Sequence, residues 1–430
     1  MILVIAPATV LAQHRVSYVP DRSDAVIYQI NIRTFSEDGN LKGITGRIDS
    51  IKNLGANVIY LMPIYPIGKI KSVNSTYCVS DYQSVNPEFG TLEDLKALVE
   101  HIHSRQMAVI LDWVPNHTSY DHKWIGNKSW YLQDSTGKIL SPPGTPWRDV
   151  AQLNFSNMDM RKEMISSMKY WIQAANIDGF RCDYADGPPF NFWKQTLDSL
   201  RSIDNHQLLM LAEGKRVDHY KAGFDYNFGF SFFEGLKDIF VKGKSAKLID
   251  SLNKVEHLGA TNGQEIVRYT TNHDVNGSDG TPQELFGGER AAMSAFIISA
   301  YMNSVPMIYN GQEVGTPYRL VFPFTSKNID WTQHPSLTAE YKKILALRNK
   351  LEVLRKGKLS SYSTDDVCAF VKEIKGKKVF VLCNMRDKTV SLEIPKKWRN
   401  VSWKDAFSGS KKQFKAQVEL KPFEYIVVNQ

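Results

Sequence analysis

The stretch GFRCDYADG, residues 179–187, decides how the rest of the chain is read. Its first half is apolar and short, as a buried β-strand is. Alternate residues of a strand point to the same side, so Arg181 and Asp183 share one face and Phe180 and Cys182 share the other. A strand that ends in a charge pair on one face, with a small thiol and an aromatic on the other, ends at a place where polar groups are wanted. Cys182, facing away from Asp183, reads as a core thiol.

Seven further stretches resemble this one in length and composition. They are AVIYQIN from Ala25, NVIYLMP from Asn57, AVILDWV from Ala108, LLMLAE from Leu208, GFDYNF from Gly223, VRYTTNH from Val267 and PMIYNG from Pro306. Between them lie amphipathic segments such as TLEDLKALVEHIHSR and RKEMISSMKYWIQAAN, with apolar residues at three- and four-residue spacing. Strand–helix alternation implies parallel strands, and eight such units imply a closed (β/α)8 barrel spanning residues 24–355. One connection is too long for a simple loop. Residues 119–157, rich in Trp, Gly, Pro and Asp, read as an inserted loop subdomain on the C-terminal face of the barrel.

After Lys356 the pattern changes to alternating strands, VCAFVKEI, KVFVLCNM, TVSLEIP and EYIVVNQ, which predicts a C-terminal antiparallel β-sandwich over residues 356–430. A turn at Lys375-Gly376 pairs Ile374 with Lys377 and places Cys368 opposite Cys383. Such a pair is either a disulfide formed with modest adjustment or two buried thiols. The four cysteines have no metal-ligand spacing.

The chain has 430 residues, 43% hydrophobic and 23% charged, which fits one large and one smaller globular domain. Its net charge of +8 comes largely from lysines in late, solvated segments such as KEIKGKKVF, so no nucleic-acid partner is expected. No segment is apolar over the length of a transmembrane helix. The opening MILVIAPATVLAQ ends in small residues at Val10-Leu11-Ala12 and lacks a basic start. Residues 1–12 read as the remnant of an export signal, implying a periplasmic or secreted protein; an ordinary N-terminal strand and a cytoplasmic protein are the alternatives.

In a (β/α)8 barrel the polar residues at the C-terminal strand ends build the active site. Strand three ends with Asp112, Asn116 and His117. Strand four ends with Arg181 and Asp183, strand five with Glu213, and strand seven with His273 and Asp274. Crowded carboxylates repel one another and are kept mainly where they are used. Their common uses are hard-metal binding and glycoside hydrolysis, and the aromatic-rich insert beside the rim favours a sugar substrate.

The ordered motifs DWVPNH, GFRCD, LAEG and TNHD on strands three, four, five and seven resemble those of the α-amylase family, glycoside hydrolase family 13. The stretches STYCVSDYQSVNPEFGT and VPMIYNGQEVG also look like family segments, and the resemblance runs from Ala25 to the C-terminus. It implies that Asp183 is the nucleophile, Glu213 the general acid and base, and Asp274 a ligand of the sugar hydroxyls. Arg181 would hold Asp183 ionised. Tyr77, Asp112, His117, Arg181 and His273 make up the implied substrate-binding set, with Tyr77 stacking on the sugar.

Two departures stand out. Where many relatives carry a Lys-His pair after the nucleophile, this chain has Asp186-Gly187. Where many carry a calcium-binding aspartate, it has Gln152. Asn116 remains as a candidate metal ligand, and the SEDGN segment near Glu37 is brief for a metal loop. No cofactor or structural calcium is therefore expected to be required. The implied activity is retaining hydrolysis of α-1,4 bonds in starch-type α-glucans or malto-oligosaccharides. Transglycosylation, α-1,6-glucosidase activity and trehalose-forming isomerisation use the same carboxylates, and a non-catalytic carbohydrate-binding or scaffold member is the distant alternative.

Overall fold

The computed structural model describes residues 18–321, 323 and 327–430. The export-signal expectation for residues 1–12 lies outside the described residues. Eight parallel strands close into a barrel: β1 (Ile27–Ile30), β2 (Val58–Leu61), β3 (Ala108–Trp113), β4 (Gly179–Cys182), β5 (Leu209–Ala212), β6 (Tyr226–Phe228), β7 (Glu265–Arg268) and β8 (Val305–Tyr309). Six of the eight apolar stretches contain one of them, whereas β7 begins two residues before the stretch from Val267 and β8 one residue before that from Pro306. The order around the barrel follows the chain, with β1 closing on both β2 and β8.

The helices follow from the spacing of apolar residues. In α1 (Leu92–His103), Leu95, Leu98, Val99 and Ile102 form the buried stripe. Thr91 and Asp94 start it with a reciprocal capping box. In α2 (Met158–Ala175), Met160, Met164, Met168, Trp171 and Ile172 do the same, and Asn176 ends the helix in the left-handed conformation.

The turn back into β4 is held by Asp178, which accepts from the Val109 backbone N–H at 2.8 Å and pairs with His103 at 2.7 Å. Next to it, Gly179 sits at φ +145°, and a Cβ there would come within 1.9 Å of the Leu209 carbonyl oxygen. Only glycine lets β4 lie against β5 at this level. The resulting registers set Asp112 beside Arg181 and Arg181 beside Leu211. Side-chain alternation then turns Arg181 into the barrel axis and Cys182 outward into the core under the helices.

The C-terminal strands are β9 (Lys358–Ser361), β10 (Val367–Ile374), β11 (Lys377–Asn384), β12 (Val390–Glu393), β13 (Ser402–Asp405), β14 (Lys411–Gln413), β15 (Gln417–Leu420) and β16 (Tyr425–Asn429). They form a six-stranded antiparallel sheet, β9-β10-β11-β16-β13-β14, and a two-stranded ladder, β12-β15. Alternation along β10 and β11 divides two cores. Val367, Ala369, Phe380 and Leu382 pack with Leu392, Trp403 and Leu420 inside the C-terminal domain. Phe370, Val379 and Val381 join the barrel's core, as do Cys368 and Cys383. The hairpin register pairs Ile374 with Lys377 and Cys368 with Cys383, as the turn at Lys375-Gly376 predicts, and both cysteines are buried free thiols.

On the barrel-facing side of β10 lies Lys372, fully buried, its Nζ donating to the Leu354 carbonyl at 2.5 Å. Burial, aided by the Arg348 charge, pushes this ammonium down to about 7. An unfolded lysine titrates near 10.4, so between about pH 7 and 10 the unfolded chain binds more protons than the folded one. Stability contributed by this position therefore rises with pH across that window. In Lys372→Met the carbonyl loses its partner at every pH, but the burial cost of the charge is gone. The melting temperature of Lys372→Met relative to the parent protein should fall as pH is raised from 7 to 10. A difference that stays constant over that range would refute the lowered titration of buried Lys372.

Candidate active site

The site is built around one guanidinium. Arg181, with no solvent exposure, directs Nη1 at Asp112 Oδ1 (2.7 Å) and at Asp183 Oδ1 (2.9 Å), and pairs through Nη2 with Glu213. Asp112 comes from β3, Arg181 from β4, and Asp183 and Glu213 from the residues just after β4 and β5. The strand ends thus bring together residues separated by a hundred positions in sequence.

Backbone contacts fix the two cavity-lining members of this cluster. The Asp183 N–H donates to the Trp113 carbonyl at 2.8 Å and the Glu213 N–H to the Cys182 carbonyl at 3.0 Å. Tyr184 turns sharply with φ +42°, a region that non-glycine residues seldom occupy. That turn lets its backbone N–H donate to Glu213 Oε2 at 2.8 Å. Asp274 stands on the first turn of a short helix, His273–Ser278, whose start is capped by the Asn272 side chain accepting from the Asp274 and Val275 N–H groups.

Around these groups is a cavity of about 560 Å³, lined by Val73, Ser75, Tyr77, His117, Pro146, Trp147, Asp149, Val150, Asp183, Tyr184, Glu213, His273 and Asp274. Its size suits one or two sugar rings, within the usual range for small-molecule sites of about 300–1,000 Å³. The inserted loop supplies one wall. It is attached by a two-stranded ladder in which His117–Ser119 pairs with Val150–Gln152. Trp147 meets the Tyr184 ring edge-on at 5.0 Å and lies 5.5 Å from the His117 ring.

Opposite this wall, the Tyr77 hydroxyl donates to Asp112 Oδ2 at 2.8 Å and lies 2.8 Å from His273 Nε2. Its ring stacks on that of His273 at 5.4 Å. Tyr60 also donates to Asp112 Oδ2, at 2.6 Å, and Gln29 Nε2 meets His273 Nδ1 at 2.8 Å. Burial keeps the protons on the Tyr60 and Tyr77 hydroxyls, pushing both well above the ordinary phenol range. Burial also pushes His117 and His273 down to about 4, so both rings are neutral at neutral pH.

One sequence expectation is corrected by this geometry. Asp112 and Arg181, expected in the substrate-binding set, are fully buried and lie outside the cavity lining. They hold the floor, because the register of β3 and β4 puts them one step deeper than Asp183. Arg181 was expected to hold Asp183 ionised, and its charge does favour the Asp183 carboxylate. Burial and the charge of Glu213 act the other way, pushing the Asp183 carboxyl up against that pull. A single cation serves three carboxylates, so its effect on any one of them is diluted.

The departures at Asp186 and Gln152 also have structural content. The Asp186 carboxylate accepts from the backbone N–H groups of Lys215 (3.1 Å) and Arg216 (3.2 Å) and lies 3.5 Å from His219 Nε2. It buttresses the loop that follows Glu213. Asn116, the candidate metal ligand, exchanges amide hydrogen bonds with Gln152: Asn116 Nδ2 donates to Gln152 Oε1 at 3.1 Å, and Gln152 Nε2 donates back to Asn116 Oδ1 at 3.3 Å. A donor nitrogen thus occupies the space among the oxygens, which does not fit a cation. Among the described residues, no group of three or more His, Cys, Asp or Glu side chains could hold a metal ion.

Tyr60, Gln29, Trp147 and Tyr184 were not singled out from sequence. Tyr60 and Gln29 lie on apolar strands whose inward faces carried no motif. Tyr184 follows Asp183 directly, and Trp147 lies in the aromatic-rich insert; these two had a signal that pointed to the region without naming the residue.

Comparison with known proteins agrees with this geometry. Residues 22–139 match the family description "Alpha amylase, catalytic domain". The chain is 29% identical over 426 residues to Alpha-amylase 2 of Dictyoglomus thermophilum, covering 90% of this chain and 73% of that protein. It is 25% identical over 430 residues to a cyclomaltodextrinase of Thermoanaerobacter pseudethanolicus, covering 88% and 73%. The crystal structure of an alpha-amylase from Lactobacillus plantarum shares the fold, with a TM-score of 0.84 at 24% identity over 95% of this chain and 99% of that one. With the four strand-end motifs gathered on one barrel rim and these relatives matching along nearly its whole length, the chain is similar in sequence and fold to the α-amylase family of glycoside hydrolases.

Proposed function

We propose that this protein hydrolyses α-1,4-glucosidic bonds of starch-type α-glucans or malto-oligosaccharides by a double displacement that retains the anomeric configuration. The observation that carries the reading is the shared guanidinium: Asp183 and Glu213 sit on the two Nη atoms of Arg181 at the floor of one cavity. Two carboxylates held on one fork stay close together. Retaining enzymes need about 5–5.5 Å between them, whereas inverting enzymes need about 6.5–9.5 Å to admit a water.

In this reading the α-glycosidic oxygen lies against Glu213 and the anomeric carbon against Asp183. Asp183 Oδ attacks the carbon while Glu213 gives its proton to the departing oxygen, leaving a β-glycosyl ester on Asp183. Glu213 then takes a proton from water, the water oxygen attacks the same carbon, and the ester bond breaks to return Asp183 as a carboxylate. The buried cluster holds three carboxylates against one arginine, which favours keeping one proton in the site for this exchange. As the ester forms, Asp183 loses its negative charge. Arg181 and the phenolic donors to Asp112 keep the floor balanced through that change.

The cavity lining supports roles for the remaining groups. Neutral His117 lines the cavity without adding charge, and neutral His273, its two ring nitrogens engaged by Gln29 and Tyr77, holds the Tyr77 ring in place. Asp274, its side chain 62% exposed, extends into the cavity where a carboxylate can accept from hydroxyls as the ring flattens. The Tyr77 ring, stacked on His273, offers an apolar face to a pyranose.

Two measurements test the reading. Proton NMR of fresh maltotriose or soluble-starch hydrolysate should show the α-anomer first, with pullulan's α-1,6 bonds, sucrose and trehalose left largely intact. Initial β-anomer would overturn the assignment of Asp183 as nucleophile. Asp183→Asn and Glu213→Gln should each lower kcat by about 10³-fold or more, as expected for groups that act as a unit in covalent catalysis, with melting temperature little changed. Retention of a tenth or more of the activity in either variant would remove that residue from its role.

A further inference from the structure

The joint between β3 and the inserted loop is organised by Gln152. Its Nε2 donates to the Asn116 carbonyl at 3.0 Å, the Leu153 carbonyl at 3.0 Å and Asn116 Oδ1 at 3.3 Å. Main-chain carbonyls can only accept, so the end of the Gln152 side chain that faces them is the NH2 group. Three oxygens therefore converge on one nitrogen that carries two hydrogens. Convergence of carbonyl oxygens on a point is how proteins hold a hard cation, at about 2.3–2.6 Å. Here the point is filled by a neutral donor. Gly187 closes the cage from the side, where a Cβ would come within 2.5 Å of Asn116 Oδ1.

The joint leads directly into the cavity. Gln152 pairs with His117 across the ladder, and Asn116 Nδ2, held by Gln152 Oε1, lies 3.3 Å from His117 Nδ1. His117 lines the cavity with Trp147 beside it. We propose that the Gln152 amide takes the place of a structural cation at this joint, tying the inserted loop to the barrel without metal and positioning His117 toward the substrate. Gln152 is thus a positioning residue that acts through Asn116. The thermal part of this inference is independent of the proposed hydrolysis; the kinetic part rests on it.

The test compares the full-length protein with Gln152→Glu and Gln152→Ala, each in chelator and in millimolar calcium chloride. The parent protein should melt at the same temperature in both solutions. Gln152→Glu keeps the shape but sets an anion among three oxygens. In chelator it should melt lower by about 2–5 °C, the scale of one or two lost hydrogen bonds to a buried cluster, and calcium should restore it. Gln152→Ala should melt lower by a similar amount and gain nothing from calcium. On maltotriose, both variants in chelator should show KM raised several-fold with kcat nearly unchanged, and calcium should reverse this for the Glu variant alone.

A parent protein that loses stability in chelator would overturn the proposal, as would a Glu variant that calcium does not raise. Should the Glu variant fail to fold, the parent protein in chelator and the Ala variant still decide. Inactivity of the parent on every glucan, with the thermal results as expected, would count against the proposed function and leave the metal-free joint standing. A KM unchanged in both variants would show that Gln152 does not position His117.

Discussion

One buried cation organises this molecule's chemistry. Arg181 lies in the barrel axis with no water to solvate it, and a charge in that position is tolerated only when paired and hydrogen-bonded. Its partners are Asp112, Asp183 and Glu213, from three consecutive strands around the barrel. Removing the arginine would leave three carboxylates in a dry pocket. Removing the carboxylates would leave a bare guanidinium. The barrel register that sets Asp112 level with Arg181 is therefore also the device that fixes the spacing of Asp183 and Glu213. Gly179 belongs to the same constraint, since it alone lets β4 approach β5 closely enough for Glu213 to reach the same guanidinium.

Around this centre the protein uses neutral groups. Tyr60 and Tyr77 remain phenols because burial disfavours their anions, and they satisfy the outer oxygen of Asp112 without adding charge. His117 and His273 remain neutral because burial disfavours their cations. Among the described residues, the strong fields in this cavity come from its carboxylates and from Arg181 beneath them. A neutral polyhydroxylated ligand fits such a cavity well: it supplies donors to the carboxylates and brings no charge that would disturb the cluster.

How much of this could be read in the sequence depends on which interactions are local. The eight strands were legible because each is a short apolar run closed by turn residues. The helices were legible because their buried residues fall on one stripe. The Cys368–Cys383 register was legible because a tight turn fixes a hairpin over its whole length. The strand-end carboxylates stood out because charge at the end of an apolar strand is unusual. Depth was not legible. Nothing in DWVPNH or GFRCD says that Asp112 and Arg181 lie below the cavity while Asp183 opens into it; that depends on barrel stagger, which is a property of all eight strands together. For the same reason the Tyr60 and Gln29 contacts could not be found, because their inward direction carries no local sign.

The two departures from the family pattern show what can be inferred from a substitution once its surroundings are visible. As sequence, Asp186 and Gln152 marked only absences. In the fold each has acquired partners suited to its own chemistry. Asp186, an acceptor, sits where two backbone N–H groups of the loop after Glu213 point inward, and Gly214 leaves room for it. Gln152, a donor, sits where three carbonyl oxygens point inward. Both lie at the base of loops that shape the cavity, one behind the acid and the other behind His117. A carboxylate at 186 and an amide at 152 thus stiffen the two walls through hydrogen bonds that need no bound ion, and the rigidity of the reactive pair and of the sugar-facing wall derives from the same kind of contact.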